Sequence, residues 1–283
     1  MSAHNYSVII PFRDCTALLE KACSSVPDRD DIQILAIDNS PEPVGEEVVA
    51  AFNRPGITYL TSSPAKGAGC ARNVGLEHAD GRFVIFLDAD DYFTEDAFEH
   101  FDRYLRSDCD IVYFTATSVM LADGSPSKRH LRLDSLVRES VVSGNMDLLR
   151  YKFENPISKM FSLSFIKEND IRFEEVICSN DTMFSITSGH KAQKILADYY
   201  PVYVITESSN GRSLTSRSKE KDFVRFTVAI RRNSFLNEID KQEYAVRILP
   251  GIVKSFWYYG FREGMKYLRY AAKSHADIFV GYF

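Results

Sequence analysis

Asp88-Ala89-Asp90-Asp91 is the stretch of this 283-residue sequence whose residue types most directly suggest chemistry. It follows an apolar run, Val84-Ile85-Phe86-Leu87. Carboxylates crowded into a short turn repel one another unless solvent or a cation neutralises them. A hard divalent ion such as Mg²⁺ or Mn²⁺ takes one or two carboxylates and completes its shell with phosphate oxygens. An Asp-x-Asp at a strand end is therefore suited to holding a diphosphate through a metal. Taken alone, the same residues read equally well as a solvated turn, because Asp is a common turn residue.

Two further clusters belong beside it. Ile37-Asp38-Asn39-Ser40 ends another apolar run with a carboxylate. Lys66-Gly67-Ala68-Gly69-Cys70-Ala71-Arg72-Asn73 joins flexible glycines to two cations around a helix start, where a loop can approach a phosphate-bearing ligand closely. On its own this segment is also an ordinary glycine-containing cap.

The elements that must position these residues follow from periodicity. Strands are predicted at Tyr6–Pro11, Ile32–Ile37, Ile57–Leu60, Arg82–Leu87 and Asp110–Thr117, alternating with helices at Thr16–Ser25, near 46–52, at Gly69–His78 and near 95–105. Continuous apolar strands imply burial on both faces, hence an α/β fold with a largely parallel, Rossmann-like sheet covered by helices. Ligands of such sheets sit beyond the carboxyl ends of the strands, where the acids and bases above would gather. Ala122-Asp123-Gly124-Ser125 reads as a hairpin turn. Short helices are expected at Asn145–Phe153, Leu163–Asn169 and Asp181–Ser188, and the chain becomes helical after about Ser218.

Bulk properties narrow the class. A net charge of −5 argues against a nucleic-acid partner, and 45% hydrophobic residues supply a sizeable core. Cys15, Cys23, Cys70, Cys109 and Cys178 form no Cys-x-x-Cys pair, so neither a zinc site nor a disulfide framework is expected, and free thiols fit a reducing cytoplasm. No signal peptide or membrane-spanning run is read. The expected location is cytoplasmic, with the inner face of the membrane as a place of work.

In these motifs the sequence resembles the family 2 glycosyltransferases with a GT-A fold. The resemblance runs through Ser7-Val8-Ile9-Ile10-Pro11, the Asp38 and Lys66–Gly75 segments, and Asp80-Gly81 through Asp91, in the family's order and spacing. It is strong over roughly the first 120 residues and looser to about Thr215. It implies a nucleotide-diphosphate-sugar donor, such as a UDP-sugar, with Mg²⁺ or Mn²⁺, a saccharide or lipid-linked saccharide acceptor, and a setting in bacterial surface polysaccharides. It also implies roles. Pro11 and Asp38 would line the base pocket, Lys66 and Arg72 would lie near the base or diphosphate, Asp88 would reach the ribose, and Asp90 would bind the metal. Asp91 would bind a metal-held water or cap the next helix. Residues 1–217 would form the transferase domain, divided near 120 into donor and acceptor halves, with 218–283 a helical extension.

The family's late Glu-Asp resembles Asn180-Asp181 here, with Asn in place of Glu. Members of this type invert the anomeric centre, and Asp181 is the expected general base, with a helix N-cap as its other reading. Lys159 and Arg212 resemble residues that contact diphosphate or acceptor, and surface salt bridges describe them as well. Phe12-Arg13-Asp14 departs from the Tyr-Asn that often follows the proline, which bears on base preference. His78 and His190 are read as structural. The aromatic and basic residues of 254–273 suit either a packed helix or a peripheral membrane contact. Two rival functions stay in view: a catalytically silent sugar-nucleotide or carbohydrate binder, and a sugar nucleotidyltransferase, which would want glycines where Phe12-Arg13-Asp14-Cys15 stands.

Overall fold

The computed structural model describes residues 4–52, 54–208 and 218–281. Its centre is one eight-stranded sheet. Strands β1 (His4–Phe12), β2 (Ile32–Asp38), β3 (Ile57–Thr61) and β4 (Gly81–Phe86) form one half, in the order β3-β2-β1-β4 and all parallel. Helices α1 (Thr16–Ser24), α2 (Glu46–Ala50) and α3 (Gly67–His78) make the crossovers. β1 is buried from Tyr6 through Phe12, which is why its run is apolar without alternation. From β1 the chain adds β2 and β3 on one side, then returns to place β4 on the other. The carboxyl ends of β1 and β4 therefore flank a topological switch point, the place where such sheets open a crevice.

The other half departs from a purely parallel sheet. Beyond β4 the order is β7-β6-β8-β5, with β5 (Tyr92–Phe93), β6 (Ile111–Met120), β7 (Lys159–Ser162) and β8 (Ile195–Glu207). β7 runs antiparallel to both β4 and β6, and β5 antiparallel to β8, while β6 and β8 are parallel. The largely parallel expectation thus holds for the first four strands, and the sheet as a whole is mixed. Helices α4 (Ala97–Asp102), α5 (Leu131–Ser143), α6 (Asp147–Lys152), α7 (Leu163–Glu168) and α8 (Asp181–Lys191) complete the α/β body. The turn at Ala122-Asp123-Gly124-Ser125 is present, closed by Met120 N–H donating to the Ser125 carbonyl at 2.7 Å.

Three helices end the chain: α9 (Lys219–Glu238), α10 (Leu249–Tyr259) and α11 (Phe261–Lys273). They share a small apolar cluster of their own, built on Phe226, Ile230, Ile248, Ile252, Tyr267 and Ala271. α9 is also anchored to the α/β body. Arg232, 2% exposed, donates to the Tyr151 carbonyl at 2.9 Å, and Arg231 pairs with Glu174 at 2.6 Å.

Candidate active site

Pro11 lies buried near the end of β1. The Ile9 carbonyl accepts from Leu87 N–H at 3.0 Å, so Pro11, two residues on, faces the same side after the ladder to β4 has ended. The N–H that proline lacks has no partner to lose there. Asp38 ends β2 and is 1% exposed. Its carboxylate accepts from Ser40 N–H and Val44 N–H, each at 2.8 Å, and from the Tyr59 hydroxyl at 2.9 Å. Burial pushes its pKa up, but these donors outweigh burial and the result is a value below the usual one. Asp38 holds the loop at 38–44, and a base ring would meet only its remaining lone pair.

Lys66 precedes α3 and pairs with Glu175 at 2.7 Å on the surface. The glycines beside it do not stand open for a phosphate: the chain itself fills the approach. A Cβ on Gly69 would stand 2.2 Å from the Glu174 carbonyl oxygen and 2.8 Å from Asn180 Cβ, and one on Gly67 would stand 2.5 Å from the Val176 carbonyl oxygen. These residues are small so that the segment at 174–180 can lie on the start of α3. Gly69→Ala is expected to cost about 1–3 kcal/mol of stability through this overlap. Urea unfolding reads it as a lower midpoint at constant slope; an unmoved midpoint would show that the two segments part freely.

Arg72, on α3, is 7% exposed. Its Nη2 donates to Asp88 Oδ1 at 2.6 Å and its Nη1 to Asn180 Oδ1 at 2.9 Å, with the guanidinium over the Phe173 ring. One buried cation thus joins the acidic turn to the segment that leads into α8. Asn180 is the partner of Arg72, so the Asn at this position keeps an acceptor without adding a second buried charge.

The three carboxylates of the turn have separate environments. Asp88 is held by Arg72. Asp91, 5% exposed, accepts from Thr206 N–H at 2.7 Å and from the Tyr203 hydroxyl at 2.9 Å, and that hydroxyl accepts from Asp88 N–H at 3.0 Å. Burial, then the charges of Asp88 and Asp90, push the Asp91 carboxyl well above its usual range. Asp91 therefore locks the turn to β8. It does not cap α4, whose cap position is Asp96, and it has no surface for diphosphate, acceptor or metal-held water. Asp90 is exposed to solvent, and among the described residues its carboxylate is given no hydrogen-bond donor beyond its own backbone N–H. Burial raises its pKa first and Asp88 adds to this, while its own backbone N–H and then Arg129 oppose.

Asp181 opens α8, with Asn180 at the cap position, so the N-cap role expected as an alternative belongs to its neighbour's place. Ser179, at φ 54°, turns the chain into the helix in a left-handed conformation that side chains rarely adopt. Burial raises the Asp181 pKa; Arg72 opposes, and Asp88 and Glu154 raise it further. The same groups, Arg72 and Asp88, act on Asp181 and build the acidic turn.

Lys159 is corrected. It is 1% exposed at the start of β7, its Nζ donates to the Phe153 carbonyl at 2.7 Å, and the rings of Phe153 and Tyr113 enclose it. Neither a ligand nor a surface partner can touch it. Burial holds its pKa well below the usual lysine value, with Asp181 and Glu154 opposing. Arg212 lies outside the described residues. His78 and His190 are engaged locally, with the Val74 carbonyl and the Tyr151 hydroxyl. Residues not singled out by sequence are Tyr203, Thr206 and Arg129; the first two carry no local signal, while Arg129 sits in the short basic run Lys128-Arg129-His130.

A divalent ion can be tested against this donor set. Among the described residues no group of three or more His, Cys, Asp or Glu is placed to hold one. With Asp91 committed to β8 and Asp88 to Arg72, Asp90 is the open carboxylate. Such a set suits a Mg²⁺ or Mn²⁺ ion that draws most of its oxygens from a bound diphosphate and water. The residues fit a cation that arrives with its ligand, not a protein-only cage.

The profile of glycosyl transferase family 2 matches residues 7–167, more than half of the chain. The chain belongs to glycosyl transferase family 2. Among relatives, it is 29% identical over 139 residues to the minor teichoic acid biosynthesis protein GgaB of Bacillus subtilis, covering 45% of this chain and 15% of that protein. It is 20% identical over 219 residues to the poly(ribitol-phosphate) beta-N-acetylglucosaminyltransferase TarS of Staphylococcus aureus, covering 75% of this chain and 37% of TarS. The chain thus spans well under two thirds of either relative. The structure of a TarS fragment in complex with UDP-GlcNAc superposes with a TM-score of 0.69 at 18% identity, over 95% of this chain and 80% of that one. The mannosyltransferase PcManGT of Pyrobaculum calidifontis, in complex with GDP-Man and Mn²⁺, does so with a TM-score of 0.55 at 14% identity, over 96% and 81% of the two chains. At these identities the superpositions establish the shared fold, which is the GT-A α/β architecture with its mixed sheet and helical C-terminal region. A nucleotidyltransferase is set aside by the family membership.

Proposed function

We propose that this protein is an inverting glycosyltransferase that moves a sugar from a UDP-sugar to an acceptor hydroxyl during bacterial surface-polysaccharide synthesis. Residues 1–217 would form the transferase domain and 218–283 its helical extension. The observation that carries the reading is the chain of contacts from Asp88 through Arg72 to Asn180, which sets Asp181 beside the acidic turn at the switch-point crevice.

In this reading the acceptor hydroxyl attacks the anomeric carbon from the face opposite the diphosphate, and Asp181 takes its proton. The bond from that carbon to the diphosphate oxygen breaks, leaving UDP. Raised proton affinity makes Asp181 a stronger base than an exposed carboxylate. Asp90 would hold Mg²⁺ or Mn²⁺, which when bound neutralises charge on the leaving diphosphate, and Asp88, fixed by Arg72, would reach the ribose. Arg129, whose charge acts on Asp90, and Lys66, near the start of α3, would supply positive charge to the same anion. Pro11 and Asp38 would shape the wall that receives the base. The poly(ribitol-phosphate) in the name of TarS supports a surface polymer as acceptor, and a lipid-linked saccharide is the other acceptor in this reading.

The silent-binder reading rests on Asn180, and Asn180 serves Arg72 whereas Asp181 is intact. The test is a thermal shift with UDP, with and without Mn²⁺, followed by release of UDP from UDP-sugars. At a ligand concentration a hundredfold above Kd the stabilisation is about 2.7 kcal/mol, which reads as a rise in melting temperature. Binding with no UDP release from any donor, acceptor mixtures included, would favour the silent binder. No shift with any nucleoside diphosphate would overturn the donor assignment.

A further inference from the structure

Among the described residues the C-terminal helices leave several large apolar side chains largely exposed. On α10, Val253 is 58% exposed and Trp257 84% exposed, and Phe261 at the start of α11 is 75% exposed. These three cluster along one side of α10 and around the turn at Gly260, whose φ of 81° suits glycine. α11 is strongly two-faced. Gly264, Tyr267 and Ala271 are buried, while Arg262, Lys266, Arg269 and Lys273 form an exposed stripe at spacings of four, three and four. Lys254 lies beside the apolar side chains on α10. Residues 247–273 hold six Lys or Arg and one acid, in a chain whose net charge is −5. Positive charge and large exposed apolar side chains are thus collected in one helical hairpin against the overall balance.

We propose that the α10–α11 hairpin is a docking surface for an anionic lipid bilayer, with Val253, Trp257 and Phe261 entering the interface and the basic stripe meeting lipid phosphates. Charge decides the occupant. A second copy of this chain would bring the same cationic stripe against itself, whereas anionic headgroups complement it and the interfacial region accepts Trp and Phe. α9 ties the hairpin to the catalytic side of the molecule. Arg231 pairs with Glu174, and the Cys178 thiol donates to the Lys221 carbonyl at 3.4 Å, both on the segment leading to Asp181. Only the consequence rests on the transfer reading: a lipid-borne acceptor would be met at the membrane surface close to Asp181.

Trp257 is the one tryptophan of the sequence, so its fluorescence reports docking directly. The full chain is floated with phosphatidylcholine vesicles, with and without phosphatidylglycerol, in the absence of donor and acceptor. Comigration with the phosphatidylglycerol vesicles alone is expected, with a blue shift of the emission and release at high salt. Trp257→Ser/Phe261→Ser is expected to cut the bound fraction about tenfold while the UDP-dependent thermal shift is unchanged. That second measurement separates this proposal from the donor assignment, since each can fail alone. Three results would overturn docking: no comigration with phosphatidylglycerol vesicles, undiminished comigration of the double variant, or a concentration-dependent dimer that the double variant abolishes.

Discussion

Asp181→Asn is expected to lower transfer by about 10²–10⁴-fold while the UDP-dependent thermal shift persists. The substitution keeps the shape of the side chain and removes the group proposed to receive the acceptor proton. Asn at this position also removes a charge that burial opposes first, with Asp88 and Glu154 adding and Arg72 favouring it, so the variant is expected to fold. The pH dependence follows from the direction of the shift. Because the folded-state pKa of Asp181 is raised, the side chain stays protonated to a higher pH than an exposed Asp, and transfer rises as pH climbs through that raised value. The variant should lose this acidic limb together with its activity. Full turnover by Asp181→Asn, or a wild-type rate that is flat from acidic to neutral pH, would remove Asp181 from the proton transfer.

Asp90→Asn is expected to give two effects of opposite sign. Transfer and the Mn²⁺-dependent part of the UDP thermal shift are lost, because the one open carboxylate of the turn is gone. The ligand-free protein becomes more stable, because burial and the charge of Asp88 oppose that carboxylate more than its own backbone N–H and Arg129 favour it. The folded-state pKa of Asp90 lies above its unfolded value, so its ionisation is opposed by the fold, and the associated stability is lost as pH rises from the unfolded value through the folded one. At neutral pH the charge is a liability that Asn relieves. Solvent access screens part of the repulsion, so the gain is modest, a rise in melting temperature of about 2 °C. The gain should vanish below the ordinary carboxylate pKa of about 3.9, where both proteins are uncharged at this position. A lower melting temperature for Asp90→Asn at neutral pH would show that the carboxylate is stabilising and that no cation is wanted there.

The same contrast explains what was legible before the fold was known. β1, β2 and β4 are mainly apolar runs that lead into proline or acid, and their predicted limits fall within a few residues of the observed ones. β8 carries Asp198, Tyr199, Tyr200 and Pro201 within thirteen residues and is only partly buried over its first half, so neither alternation nor a continuous apolar run marks it. Its pairing to β6 shifts register between Phe114 and Ala116, which removes the period that would have given it away. β7 has four residues, too few for any pattern, and α5 went unread although its Leu133, Leu136, Val137 and Ser140 make a buried stripe.

Local order and chemistry were written in the chain itself: acids and bases at strand ends, in a spacing that a parallel βαβ unit carries to one rim, because the direction of each strand decides where its last residue lies. Tertiary contacts alone decided which member of each cluster is free to act. Asp90 and Asp91 are adjacent and chemically identical, yet β8 supplies donors to the carboxylate of Asp91 and reaches only the backbone carbonyl of Asp90. Lys159 looks like a ligand cation until the rings of Tyr113 and Phe153 close around it. Partners brought from distant parts of the chain set burial and hydrogen bonding, and those in turn set whether a charge is spent on the fold or left for a substrate.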